Sequence, residues 1–224
     1  MDDFNGIRTW IFDLDHTLYP HDAELLVRIG ARMTDWMCRE LRLDRPEADR
    51  LRYQYWQTHG TTLSGLMVEH DVAPEAFLAE VHDVPLDGIG PDPALAARIR
   101  ALPGRRIVHT NSTSSYAYRV LDVLGLDRVF DAVYGIDQTG FYSKPHPIAH
   151  DAVTGLDGHA AETAVMFEDT ADNLRVPHAR GMRTVLVAPE PAVAPHVHHH
   201  TDDLAGFLSQ IVDPTFRPST EQLP

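Results

Sequence analysis

Only one cysteine, Cys38, stands in the 224 residues. No intramolecular disulfide can form, so the fold must rest on a packed interior, with Cys38 expected there as a small apolar side chain. Basic residues are also scarce. Lys and Arg number 19 against 33 Asp and Glu, a formal charge of -14. That balance argues against non-specific binding to nucleic acid or to an anionic membrane. No apolar run approaches the ~20 residues of a membrane-spanning helix. The first residues, MDDFNGIRTW, lack the basic start and apolar stretch of a secretory signal. A soluble, cytoplasmic protein is expected. Two phosphate-binding motifs are missing as well. There is no Gly-x4-Gly-Lys-Ser/Thr loop, and Gly88-Ile-Gly90 lacks both a third glycine and a preceding strand.

What is present describes a globular chain, 43% hydrophobic and 8% aromatic. Its length suits one sizeable core, or a core with a small second domain. Arg8–Asp13 is a short apolar run ending in acids and predicts a buried strand. In Asp22–Leu43 the apolar positions Leu25, Leu26, Ile29, Met33, Trp36, Met37 and Leu41 trace one helical face, with Asp22 as N-cap. Further helices are expected at Pro46–His59, Leu63–His70 and Pro74–His82. Three prolines and two glycines in Asp83–Pro93 mark a boundary. Beyond it, helices (93–102, 114–124, 147–153, 171–180) alternate with apolar strands (106–110, 132–134, 164–168, 183–188). Such alternation predicts an α/β fold, a doubly wound parallel sheet with helices on both faces. The helical block at 20–90 interrupts it after the first strand. The expected division is a catalytic core of residues 1–19 and 91–212, a helical cap of 20–90, and a poorly ordered tail at 213–224.

Four segments carry polar residues at or after predicted strand ends, where open α/β sheets bind ligands. DLDHTLYP (Asp13–Pro20) sets two carboxylates at i and i+2, which point the same way on extended chain. HTNS (His109–Ser112) offers hydroxyls and amides for an oxyanion, or only a helix cap. SKPHP (Ser143–Pro147) carries Lys144, which as a lone loop lysine would simply be solvated. FEDTADN (Phe167–Asn173) ends an apolar strand in two acids, a costly burial that a hard cation would offset.

The four together, in this order, resemble the haloacid dehalogenase (HAD) superfamily of phosphohydrolases over residues 8 to about 188. DLDHTLYP, HGTTLSGL (His59–Leu66), TNS and FEDTADNL look like its pyrimidine 5′-nucleotidase branch. Ser112 and Ser143 depart slightly from the usual pattern. The resemblance implies a Rossmann-like HAD core with a helical cap inserted after the first strand. It implies Asp13 as nucleophile, forming an aspartyl-phosphate, and Asp15 as general acid and then base. It further implies that Thr110 bonds a phosphate oxygen, that Lys144 neutralises charge, and that Mg²⁺ sits on Asp13, the Asp15 carbonyl, Asp169 and Glu168, the last directly or through water. An acid at position 15 argues against dehalogenation. The implied substrate is a small phosphorylated molecule, a pyrimidine nucleoside 5′-monophosphate, and the implied protein is a monomer or homodimer. Asn111, Thr17, His59, Thr61 and Thr62 are the expected substrate contacts.

Tyr53, Tyr55 and Trp56 precede His59-Gly60-Thr61-Thr62. They suit a nucleobase stack, but the spacing of Tyr53 and Trp56 fits ordinary core packing better. His16 is expected to face cap or solvent without a catalytic role. The histidines at 196 and 198–200 lack metal-ligand spacing and read as a flexible surface loop. Two rival readings remain: a phosphatase for sugar phosphates or phosphoglycolate, and a silent sensor of phosphorylated ligands. The complete acid and base set argues against the sensor.

Overall fold

The computed structural model describes residues 2–21 and 23–212. Six parallel strands form one sheet: β1 (Thr9–Phe12), β2 (Arg105–His109), β3 (Ala132–Tyr134), β4 (Ala164–Glu168), β5 (Arg183–Val187) and β6 (His199–Thr201), in the order β3-β2-β1-β4-β5-β6. The sheet is thus doubly wound, and its order reverses between β1 and β4, where a crevice opens at the strand C-termini. All four residues of β1, Thr-Trp-Ile-Phe, are buried, as a central strand covered on both faces requires.

Side-chain alternation sorts the core into two layers. Trp10, Phe12, Val165 and Phe167 face one way. They pack against α5 (Pro93–Ala101), α6 (Ser114–Val123) and α9 (Leu204–Val212). Ile11, Ile107, Met166 and Leu186 face the other way, against α7 (Pro147–Asp157) and the turn holding Leu174. Phe12 and Phe167, partners in register, stack with ring centroids 4.7 Å apart. That register fixes the site. Asp13, one residue past Phe12, falls beside Glu168 on one flank and His109 on the other.

Between β1 and α5 lie four helices: α1 (Leu25–Glu40), α2 (Arg45–His59), α3 (Thr62–His70) and α4 (Pro74–Val81). Their apolar faces form a separate cluster of Trp36, Met37, Tyr55, Leu63, Leu66, Phe77 and Val81, with Cys38 at its edge. Asp44 caps α2 by accepting from the Glu47 amide at 2.9 Å, with Pro46 in the first turn. Gly60, at φ +82°, ends α2 and sends the chain back into α3. No described helix is long and apolar enough to cross a membrane.

Several expectations are corrected. Helix α1 starts at Leu25 with Glu24 at the cap position, and Asp22 falls outside the described residues, as does the tail at 213–224. The expected helix at 171–180 is a 3-10 turn, Ala171–Leu174, followed by a short α8 (Arg175–Ala179). The histidine-rich stretch is a built edge, not a flexible loop. His199–Thr201 pairs with β5, His198 Nδ1 lies 2.7 Å from Thr184 Oγ1, and the His200 ring meets the Ala188 carbonyl at 2.7 Å. Backbone pairing and local polar contacts hold β6, and neither leaves an apolar period in the sequence. Tyr53 and Trp56 are not core residues. They are 56% and 57% exposed, and Tyr55 fills the helical interior instead.

Candidate active site

Asp13 is 5% exposed and lies at the end of β1. Its Oδ1 accepts from Lys144 Nζ at 2.6 Å, and its Oδ2 from Thr17 Oγ1 at 3.2 Å. Lys144, 2% exposed, also donates to Glu168 Oε2 at 2.7 Å and to the His109 carbonyl at 2.8 Å. Three acceptors use all three ammonium protons. The backbone of Lys144 is held by Asn111, whose Oδ1 accepts from the Lys144 amide at 2.7 Å and whose Nδ2 donates to its carbonyl at 3.1 Å. One asparagine after β2 therefore ties the lysine loop to the sheet.

Asp15 leaves the strand end facing the same cavity. Tyr19 donates to its Oδ1 at 2.6 Å and Ser112 to its Oδ2 at 2.8 Å. Thr110 is buried, and its hydroxyl accepts from the Ser112 amide at 3.0 Å, shaping the turn that carries Ser112. Glu168 ends β4, accepts from Asn173 Nδ2 at 3.0 Å, and is followed by Asp169.

Charge in this site is out of balance. Asp13, Glu168 and Asp169 present ligand oxygens within 4.8 Å of one another, and among the described residues Lys144 is the one Lys or Arg paired with them. Burial and the Glu168 charge push Asp13 up to about 7, with Lys144 opposing. Burial pushes Glu168 up to about 7, and burial with the Asp13 charge pushes Asp169 up to about 6. Burial alone would pull Lys144 down, but Asp13 and Glu168 outweigh it and hold it above the usual lysine range. Carboxylates this crowded at neutral pH call for a cation, and an all-oxygen donor set fits a hard divalent one.

One cavity of about 330 Å³ brings together Asp13, Asp15, Asn111, Lys144, Glu168 and Asp169. Its opposite wall is helical: Arg52, Trp56, Thr61 and Thr62, over an apolar floor that includes Leu26, Ile29 and Phe77. Thr61 also caps α3, accepting from the Ser64 amide at 3.1 Å. His59 is not brought in; its Nε2 faces Glu69 at 3.6 Å. Thr17 and Thr110 reach the site through Asp13 and Ser112.

The sequence did not single out Arg52, Tyr19 or His82. Among the described residues Arg52 is the helical wall's only Lys or Arg, and its buried Nε has no hydrogen-bond partner there. The nearest carboxylate, on Asp49, is 4.0 Å away. Tyr19 lies four residues after Asp15, the one signal that pointed to it. His82 stacks on Tyr116 at 4.7 Å, and burial lowers it to about 4, so it enters the cavity neutral.

A family model for haloacid dehalogenase-like hydrolases matches residues 7–179. The chain belongs to that family. Among relatives, Phosphate metabolism protein 8 of Saccharomyces cerevisiae is 25% identical over 199 residues, covering 80% of this chain and 61% of the yeast protein. The chain thus spans under two thirds of that relative's length. Two solved structures share the fold. A HAD phosphatase from Thermococcus onnurineus superposes with a TM-score of 0.62 at 18% identity, over 92% of this chain and 98% of that one. YfnB from Bacillus subtilis, bound to magnesium, gives 0.58 at 16% identity, over 92% and 99%. This HAD-like hydrolase therefore carries its acids at the crevice of a family-typical sheet.

Proposed function

We propose that this hydrolase is a magnesium-dependent phosphomonoesterase acting on pyrimidine nucleoside 5′-monophosphates. The observation that carries the chemistry is the juxtaposition of a buried carboxylate, Asp13, with a lysine at 2.6 Å and a second carboxylate, Asp15, facing the same cavity. The phosphatase reading draws support from the Thermococcus fold relative and from the yeast protein's role in phosphate metabolism.

In this reading Asp13 attacks phosphorus and forms an aspartyl-phosphate. Lys144 holds the nucleophile's unused oxygen and offsets charge on the phosphoryl group. Asp15, oriented by Tyr19 and Ser112, protonates the leaving 5′-oxygen and later takes a proton from the water that cleaves the intermediate. Asp13, Glu168, Asp169 and the Asp15 carbonyl are the proposed magnesium ligands. Bound there, magnesium would neutralise part of the charge of the carboxylates and the phosphate. Residues 20–90 act as a cap over a core of 1–19 and 91–212, contacting the leaving group and excluding water.

The cap wall supports a nucleoside. Trp56 offers an exposed ring face to a base, and the Arg52 guanidinium offers donors to pyrimidine carbonyl oxygens. Thr61 and Thr62 add hydroxyls beside them. The test is phosphate release from UMP, CMP, AMP, GMP, sugar phosphates and phosphoglycolate, with Mg²⁺ or EDTA. Turnover of UMP and CMP above the rest, abolished by EDTA, is expected. A purine preference would overturn the base assignment, and sugar-phosphate preference the nucleotide assignment. Release from no substrate, with binding retained, would leave a sensor.

A further inference from the structure

A second cavity, of about 520 Å³, shares Thr17 and Tyr19 with the acidic crevice, but its other lining residues are ones that the proposed hydrolysis does not use. Its wall carries His16 and His21 from the loop after β1. The chain turns sharply there. The Thr17 and Leu18 amides both bond the Leu14 carbonyl, and His16 takes a left-handed φ of +62°. The turn brings the two imidazoles together, with ring centroids 4.4 Å apart and planes tilted by 38°. Asp169 closes the group, its Oδ2 lying 3.8 Å from His16 Nδ1.

We propose that His16, His21 and Asp169 form a second metal site, for a borderline transition ion such as Zn²⁺ or Co²⁺. One ligand atom from each lies within 4.8 Å of the others. Bonds of about 2.0–2.1 Å to nitrogen and oxygen put tetrahedral ligand atoms about 3.3 Å apart, so small side-chain rotations complete the site. Among the described residues neither imidazole makes a hydrogen bond, which leaves ring nitrogens free to ligate. Among the described residues the cavity lining adds Asp92, Asp202 and Asp203 and no Lys or Arg, so its field favours a cation.

Ligand chemistry separates this site from the crevice. Two imidazoles and one carboxylate suit zinc or cobalt, whereas the oxygen-only cluster of Asp13, Glu168 and Asp169 suits magnesium. Three protein ligands would leave the fourth tetrahedral position open. Asp169 belongs to both groups, so the two sites are coupled: occupancy of one changes the affinity of the other by the same factor in either direction.

The test is a Co²⁺ titration of the full chain in saturating Mg²⁺, read by the visible absorption of cobalt bound with fewer than six ligands. His16→Asn with His21→Ala is the comparison, since Asn keeps the left-handed backbone. The His196–His200 segment gives the same background in both proteins, so the difference reads the site. Wild type should take up one more Co²⁺ than the variant, with at least about tenfold tighter binding. His21→Ala alone should lose the same band. Far-UV circular dichroism and melting of both variants establish that they are folded. Equal uptake and identical spectra in wild type and the folded variants would overturn the proposal.

Discussion

At the residue scale, the site depends on where three carboxylates keep their protons. Asp13, Glu168 and Asp169 have folded-state pKa values of about 7, 7 and 6, above those of exposed acids. A raised carboxylate pKa means that the folded state binds protons more readily than the unfolded chain between the two values. Stability without metal should therefore fall as pH rises from about 4 to about 7, by roughly 1.4 kcal/mol per pH unit for each proton of difference. Lys144 does not counter this slope, because its charge is constant over that range. Mg²⁺ should remove the slope, so its stabilisation should be larger at pH 7.5 than at pH 5. Urea unfolding midpoints at both pH values, with and without Mg²⁺, check this. Equal Mg²⁺ effects at both would argue against the carboxylate cluster as the metal site. A second prediction concerns Asp15. Asp15→Asn should lose about 10²–10⁴-fold in kcat toward UMP, whose alkoxide needs a proton, and far less toward p-nitrophenyl phosphate. Equal losses on both substrates would remove Asp15 from the proton transfer.

At the element scale, the helical wall is set by how α2 sits on α3. A Cβ on Gly65 would lie 2.3 Å from the Tyr55 ring, so the helices touch only because residue 65 has no side chain. Gly65→Ala should destabilise the protein by about 1–3 kcal/mol through overpacking. An unchanged urea midpoint would show that α2 moves away without cost. The same helix carries Arg52, for which Arg52→Ala should raise KM for UMP by the equivalent of about 1.5–3 kcal/mol, the value of a hydrogen bond from a charged donor. p-Nitrophenyl phosphate, with no base to contact, should keep its KM, and parallel losses would place Arg52 in general electrostatics.

These elements also mark what the sequence revealed. Asp13, Asp15 and Asp169 were legible because they follow short apolar strands, and parallel register aligns the ends of β1 and β4 without further information. Lys144 lies in a loop well past β3, where only the family resemblance singled it out and where Asn111 ties it to the sheet. The helical block was legible from its 3.6-residue period. Its facing was not. Tyr53, Tyr55 and Trp56 are all aromatic, and only contact with Gly65 and His70 decides that Tyr55 turns inward. Arg52 is one charge among many on a polar helix, and its value comes from the wall it faces. Strand β6 escaped because an edge held by backbone pairing needs no apolar alternation.

At the scale of the whole molecule, a protein of formal charge -14 is proposed to capture a dianion. Most of that charge lies outside the crevice, and at low ionic strength it repels substrate over tens of ångströms. Lys144 acts at hydrogen-bond contact inside the cavity, where salt screens little. Salt should therefore weaken the repulsion before it weakens the binding contacts. Raising ionic strength from about 10 mM to about 150 mM shortens the Debye length from about 30 Å to about 8 Å. With free Mg²⁺ held constant, kcat/KM for UMP should rise over that range while kcat, set after capture, stays level. A fall in kcat/KM would mean that a local positive field, with Arg52 as its leading source, already steers the nucleotide in. In that case the Arg52→Ala variant should reverse the sign of the salt effect.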